Sequence, residues 1–126
     1  MKKFEYITKN TQRAKEFFEN KMAYTLGPVE LDYVIKNHSD KILIIDVRKK
    51  EDYEKGHIEN AISVPAADVK ENLNKFSKEK VNIVYCYNQQ CHAAAGSAVI
   101  LAENGYPVME LSGGSKKWTK FGYQMI

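Results

Sequence analysis

Arginine is nearly missing from this chain of 126 residues: among 19 basic residues it stands only at positions 13 and 48. A planar, bidentate clamp for phosphate or sulfate normally calls on arginine, so few residues are available to build one. Cysteine is scarce too. Cys86 and Cys91 are the only two thiols, too few for the disulfide framework of a small secreted scaffold, and no cluster that includes the three histidines has zinc-ligand spacing. No metal site is expected, and a reducing compartment, the cytoplasm, is. No apolar run approaches the length that crosses a bilayer, and Met1 to Tyr6 is charged with no apolar signal core after it. Neither a membrane span nor a signal peptide is therefore expected. The net charge of +3, from 19 basic and 16 acidic residues dispersed along the chain, is too weak a field to suggest nucleic acid as a partner. Internal repeats and low-complexity segments are also missing. With 44% hydrophobic residues, the chain has enough apolar material for one domain over 1–126 with a core that needs no staples.

The most informative stretch runs from Val81 to His92. Val81 to Tyr85 is too short for a helix and apolar enough to be buried on both faces, so it reads as an interior strand. Cys86 stands at its carboxyl end, and the loop from Tyr87 to Gln90 has no apolar period. Ala93 to Ala102 then reads as a helix of small residues that permit close contact with a sheet. Strand, loop and helix in that order aim loop amides and a helix N-terminus at whatever the loop encloses, which favours an anion and lowers a thiol pKa. A cysteine is often just a small buried side chain. Its place outside the carboxyl end of a strand, beside Tyr, Asn and Gln, makes Cys86 a candidate reactive thiol instead.

The rest of the chain alternates strands and helices. A helix capped by Thr8 or Asn10 runs to Met22 with Ala14, Phe17, Phe18 and Met22 on one side, as an outer helix covering the sheet. Gly27-Pro28 opens a second helix to about Asn37, with His38 solvated in the turn after it. Ile42 to Ile45 is another doubly buried strand, and it ends in Asp46 and Arg48, which point the same way and pair to brace neighbouring loops. Glu51 to Lys55 is a helical turn closed by Gly56, His57 is a loop-bracing partner and not a general base, and Ile62 to Val64 is a short strand stopped by Pro65. Ala66 to Phe76 reads as a helix with Val69, Leu73 and Phe76 inward. Asn104-Gly105 caps the small-residue helix, Pro107 to Leu111 is a strand, and Ser112-Gly113-Gly114 turns into a last helix whose Trp118 fills core. Two adjacent glycines let the backbone approach something closely. Such alternation implies an α/β domain with a parallel sheet and helices on both faces.

Taken as a set, Asp46-Val47-Arg48, Glu51, Tyr53, Gly56-His57-Ile58, Ala61, Ile62 and Pro65, then Val84-Tyr85-Cys86, Asn104-Gly105-Tyr106, and Leu111, Gly113, Gly114 and Trp118 resemble the signatures of the single-domain rhodaneses over about 42–123. The loop is similar to that of a subset with a C-x-x-x-x-C pattern; Cys91 stands where many members have an arginine. The resemblance implies a rhodanese-like fold with a mostly parallel five-stranded sheet, and 1–38 as an N-terminal helical segment packed on it. It implies that Cys86 accepts a sulfane sulfur from thiosulfate or a persulfide and passes it to a thiol or cyanide. Tyr87, Asn88, Gln89, Gln90, Cys91 and His92 would form the cradle around the persulfide, supported by Asp46, Arg48, His57, Gly113, Gly114 and Trp118. No cofactor is implied. A small sulfur donor and a thiol acceptor are the implied partners, with a sulfur-relay protein as a further candidate.

Two alternatives stay open. One is a binding or sulfur-carrier module without turnover, to which the unusual loop could belong. The other is a phosphatase or arsenate reductase on a related fold, disfavoured because the loop carries no arginine for the oxyanion. Cys91 also has two readings, as a resolving thiol or as a packing and cradle-shaping residue. A cradle wide enough for a persulfide keeps its rim residues pointed outward or into the core, which favours the packing role.

Overall fold

Two runs rich in β-branched residues set the middle of the molecule. In the computed structural model, which describes residues 9–126, they form adjacent parallel strands, β2 (Ile42–Asp46) and β4 (Val81–Tyr85), aligned from Ile42 beside Val81 to Asp46 beside Tyr85. Their carboxyl ends are therefore flush. The other elements are α1 (Thr11–Tyr24), β1 (Thr25–Leu26), α2 (Pro28–Asn37), α3 (Lys50–Lys55), β3 (Ile62–Ser63), α4 (Ala93–Glu103), β5 (Val108–Leu111) and α5 (Gly114–Lys120). The five strands are ordered β1-β5-β4-β2-β3 and all pair in parallel. The chain leaves β2 toward β3 and leaves β4 toward β5, so the connections diverge between the two central strands. That is the switch point where a crevice opens at the carboxyl edge of an α/β sheet.

Alternation along the strands sorts the core into two faces. Ile44, Ile83 and Tyr85 join Leu26, Leu31, Ile58, Leu111 and Trp118 on one side. Ile45, Val84 and Cys86 join Val47, Val64, Val69, Phe76, Ala94 and Leu101 on the other. The second face is covered by α4, whose small residues bring it close to the sheet. Asn82 is the one polar residue inside β4, and it is fully buried. Its side chain accepts from the Ser77 amide at 3.0 Å and donates to the carbonyls of Ser77 at 2.7 Å and Pro107 at 2.9 Å, stapling the turn that leads into the strand.

Several expectations change. Ala66 to Phe76 is not an α-helix but two 3-10 turns, Ala66–Asp68 and Leu73–Lys75. The Asn72 side chain donates to the Asp68 carbonyl and its amide bonds to Val69, a local competition that breaks the helical ladder; Val69 and Phe76 are nevertheless buried. α1 is capped by Asn10, whose side chain accepts from the Arg13 amide, and runs two residues past Met22. It does not cover the sheet. None of its residues is buried, and Phe17, Phe18 and Met22 are 58%, 56% and 75% exposed, because the helix lies beside the edge formed by β1 and β5. β1 itself was not legible, being two residues long. Thr8 and the stretch from Met1 to Tyr6 lie outside the described residues. Among the described residues, no helix is long and apolar enough to cross a membrane.

Candidate active site

The carboxyl ends of β2 and β4 are tied together by a buried polar cluster. Asp46 is wholly inaccessible, and it accepts from Arg48 Nε at 3.1 Å, Arg48 Nη2 at 2.8 Å, the Arg48 amide at 2.9 Å and the Tyr85 hydroxyl at 2.6 Å. Arg48 continues to the Gly56 carbonyl at 2.6 Å, and Tyr85 accepts from the Ile58 amide at 3.1 Å. Burial would lower the Arg48 pKa, but the hydrogen bond and charge of Asp46 outweigh it and hold the guanidinium above its ordinary value. The Tyr85 hydroxyl is pushed up, first by burial and then by the Asp46 charge, so it stays a donor. His57 braces the same loop: its Nδ1 is 2.9 Å from the Tyr53 carbonyl, its ring stacks on Tyr53 at 3.9 Å, and its backbone pairs with Ile126.

On that base sits the loop after β4. The Cys86 carbonyl accepts from the Ser115 amide at 2.9 Å, and the Tyr87 carbonyl accepts from Lys116 at 2.9 Å and Ser115 Oγ at 3.3 Å. These bonds require α5 to begin directly under the loop, and glycine makes that possible. A Cβ on Gly114 would lie 2.6 Å from the Cys86 carbonyl oxygen and 2.8 Å from the Asn88 nitrogen, and Gly113 and Gly114 both have positive φ, +82° and +60°. Trp118, 3% exposed, anchors α5 in the first core face and donates to the Gln124 carbonyl.

Within the loop the side chains go to different places. Tyr87 does not face a cradle: its hydroxyl donates to the Asp52 carboxylate and accepts from the Lys49 amide at 3.3 Å. Burial and Asp52 raise the Tyr87 pKa, and the same bond lowers that of Asp52. Asn88 turns inward on the chain, its Oδ1 accepting from the amides of Gln90 at 3.0 Å and Cys91 at 3.1 Å. Those two amides are thus engaged by the loop's own carboxamide, which acts as an internal acceptor where an enclosed anion was expected. Gln89 and Gln90 are exposed, and His92 is an exposed residue at the start of α4 whose carbonyl accepts from Gly96. Cys91 corrects the expectation of a packing residue that does not meet Cys86. Its Cα is 6.5 Å from that of Cys86 and the two form a disulfide, while its side chain also packs in the second core face.

Three lysines escaped the reading of the sequence because they belong to α5, 24 or more residues away. Lys116, Lys117 and Lys120 border a hollow of about 280 Å³ with Asn88, Gln89, Gln90 and Gly113. They put positive charge beside the loop where arginine is missing. Tyr85 escaped as well, since it reads as one more apolar strand residue. On the far side of Gln89 a larger apolar groove of about 630 Å³ runs between α1 and α4, with Glu110 in its wall. Burial raises the Glu110 pKa above the ordinary carboxyl value, opposed by the charge of His92.

Known proteins are similar to this chain in sequence and fold. The family described as Rhodanese-like domain matches residues 30–121. Thiosulfate sulfurtransferase GlpE of Coxiella burnetii is 39% identical over 80 residues, covering 61% of this chain and 71% of that one. A probable molybdopterin-synthase adenylyltransferase of Porphyra purpurea is 30% identical over 95 residues, 72% of this chain but 24% of its own length. Three such larger curated relatives are spanned over only 38%, 24% and 26% of their lengths. Among solved structures, the BH2092 protein of Bacillus halodurans superposes with a TM-score of 0.82 at 33% identity, over 93% of this chain and 86% of that one.

Proposed function

Since the chain belongs to the rhodanese-like domain family, we propose that it is a sulfurtransferase that carries sulfur as a persulfide on Cys86. The reduced Cys86 thiolate attacks the outer sulfur of thiosulfate or of a persulfide donor. The donor's sulfur–sulfur bond breaks, sulfite or a thiol departs with the electron pair, and Cys86 keeps the sulfane sulfur. A thiol or cyanide acceptor then removes it in a second step, so the cycle is ping-pong. A small donor, a thiol acceptor and, as a further candidate, a sulfur-relay protein are the partners of this reading.

The single observation that carries it is the position of Cys86 at the switch point of the sheet, on a loop whose first two carbonyls are pinned by α5. The α4 N-terminus supplies a field that favours thiolate. Lys116, Lys117 and Lys120 give an anionic donor a favourable approach that salt should weaken.

The test is intact-mass spectrometry of the reduced protein after thiosulfate. Gain of one sulfur, localised to Cys86 or released from it as sulfide or thiocyanate, is expected. Cys86→Ser should retain the circular dichroism of the parent and take up none, because a hydroxyl is a far weaker nucleophile at neutral pH. If the wild type neither gains nor releases sulfur, the binding-module alternative replaces this reading.

A further inference from the structure

We propose that Cys91 is a resolving thiol, so that sulfur taken up on Cys86 leaves as hydrosulfide and the protein acts as a dithiol-dependent reductase of sulfane sulfur. The inference rests on the Cys86 persulfide proposed above and assigns what happens to it next. It starts from how the two cysteines are brought together. Their Cα atoms are 6.5 Å apart, inside the range that a disulfide spans. Contacts that do not involve sulfur hold that separation. Asn88 Oδ1 takes the amides of Gln90 and Cys91, and the Asn88 carbonyl takes the Cys91 amide again at 3.2 Å, which curls residue 91 back toward residue 86. On the opposite side the carbonyls of Cys86 and Tyr87 are fixed by the amides of Ser115 and Lys116. Both cysteine side chains then pack in the same core face as Ala94. A loop built this way holds Cys91 beside the Cys86 sulfur.

The chemistry follows from which sulfur Cys91 reaches. Its thiolate attacks Cys86 Sγ, the inner sulfur of the persulfide. The Cys86 Sγ–S bond breaks, the outer sulfur leaves as hydrosulfide with the bonding pair, and the Cys86–Cys91 disulfide forms. The sulfane sulfur gains two electrons and the two cysteines lose two. An external dithiol restores them: one of its thiolates attacks a sulfur of the bridge, and its second thiol closes the reductant's own disulfide. Cys91 is the sulfur it meets first, since Cys86 is 2% exposed and Cys91 is only partly buried. Cys86 is then the leaving thiolate, which returns the nucleophile to its starting state. With thiosulfate as donor the net products are sulfite, hydrosulfide and the oxidised dithiol.

The experiment is a single turnover. Reduced wild type, Cys91→Ala and Cys91→Ser are freed of small thiols and given thiosulfate, then free sulfide and intact mass are followed. Wild type should release one sulfide per chain and finish two hydrogens lighter than the reduced protein. Both variants should stop at the persulfide, heavier by one sulfur, with sulfide release slower by a factor of at least about 100, because an intramolecular attack has become a bimolecular one. Dithiothreitol added afterwards should return wild type to its reduced mass. The inference fails, with the sulfurtransferase reading intact, if wild type keeps the added sulfur beside a free Cys91 or if the variants release sulfide as fast as wild type. If none of the three gains or releases sulfur, both readings fall.

Discussion

Gly114→Ala probes how closely α5 must approach the loop. The new Cβ would meet only backbone: the Cys86 carbonyl oxygen at 2.6 Å, the Asn88 nitrogen at 2.8 Å and the Tyr87 carbonyl carbon at 2.8 Å. No flexible side chain can yield, so the loop and the helix must separate by a good fraction of an ångström. That stretches the bonds from Ser115 to Cys86 and from Lys116 to Tyr87, both 2.9 Å. Each lost bond costs about 1 kcal/mol, and the left-handed backbone at φ +60° adds about 1 kcal/mol for any residue with a Cβ, for a total near 3 kcal/mol. Gly122→Ala is the matched control, since Gly122 has φ +89° and nothing within 4 Å of its Cβ position. It should cost about 1 kcal/mol, the backbone share alone. Urea unfolding followed by circular dichroism gives the two values, and the rate of sulfur uptake from thiosulfate should fall for Gly114→Ala only. If Gly114→Ala is no less stable than Gly122→Ala, the close approach is not what the glycine is for.

Asp46→Ala should destabilise by about 3–5 kcal/mol, because it strands the Arg48 guanidinium and the Tyr85 hydroxyl in a buried site. The double variant Asp46→Ala/Arg48→Met should lose less than that single one, as no unpaired charge remains; additive losses in denaturant melts would show the pair to be energetically independent. Tyr85→Phe removes the donor to Asp46 and the acceptor of the Ile58 amide, and thermal melts should register about 1–3 kcal/mol. Glu110 supplies a pH signature. Burial raises its folded pKa above the ordinary 4.5, so its neutral form favours the fold, and this contribution is complete below pH 4.5 and lost as pH rises through the folded pKa. Glu110→Gln, neutral throughout, should therefore melt higher than wild type near neutral pH and lose that advantage in acid; equal Tm values at neutral pH would contradict the assignment.

Much of the architecture was legible because it is local. Runs such as Ile42 to Ile45 and Val81 to Tyr85 announce buried parallel strands by composition, the abrupt polar change at Asp46 and Cys86 marks their carboxyl ends, and Gly113-Gly114 announces a close backbone approach before its partner is known. Even Asp46 and Arg48 could be paired from the alternation of a strand. What stayed hidden depends on register and on contacts across the sheet. Tyr85 looks like one more apolar residue of its strand until the alignment of Asp46 with Tyr85 turns the tyrosine into a hydrogen-bond donor. β1 is too short to carry a period and exists only because Thr25 and Leu26 find Glu110 and Leu111. The apolar stripe of α1 predicts burial, yet at the sheet's edge nothing among the described residues closes over it. Cys91 is the sharpest case: spacing allowed it to face either the core or Cys86, and the bonds of Asn88, Ser115 and Lys116 decide the matter by curling one end of the loop while pinning the other. Periodicity is a property of the chain, whereas the distance between two sulfur atoms is a property of everything that holds the loop between them.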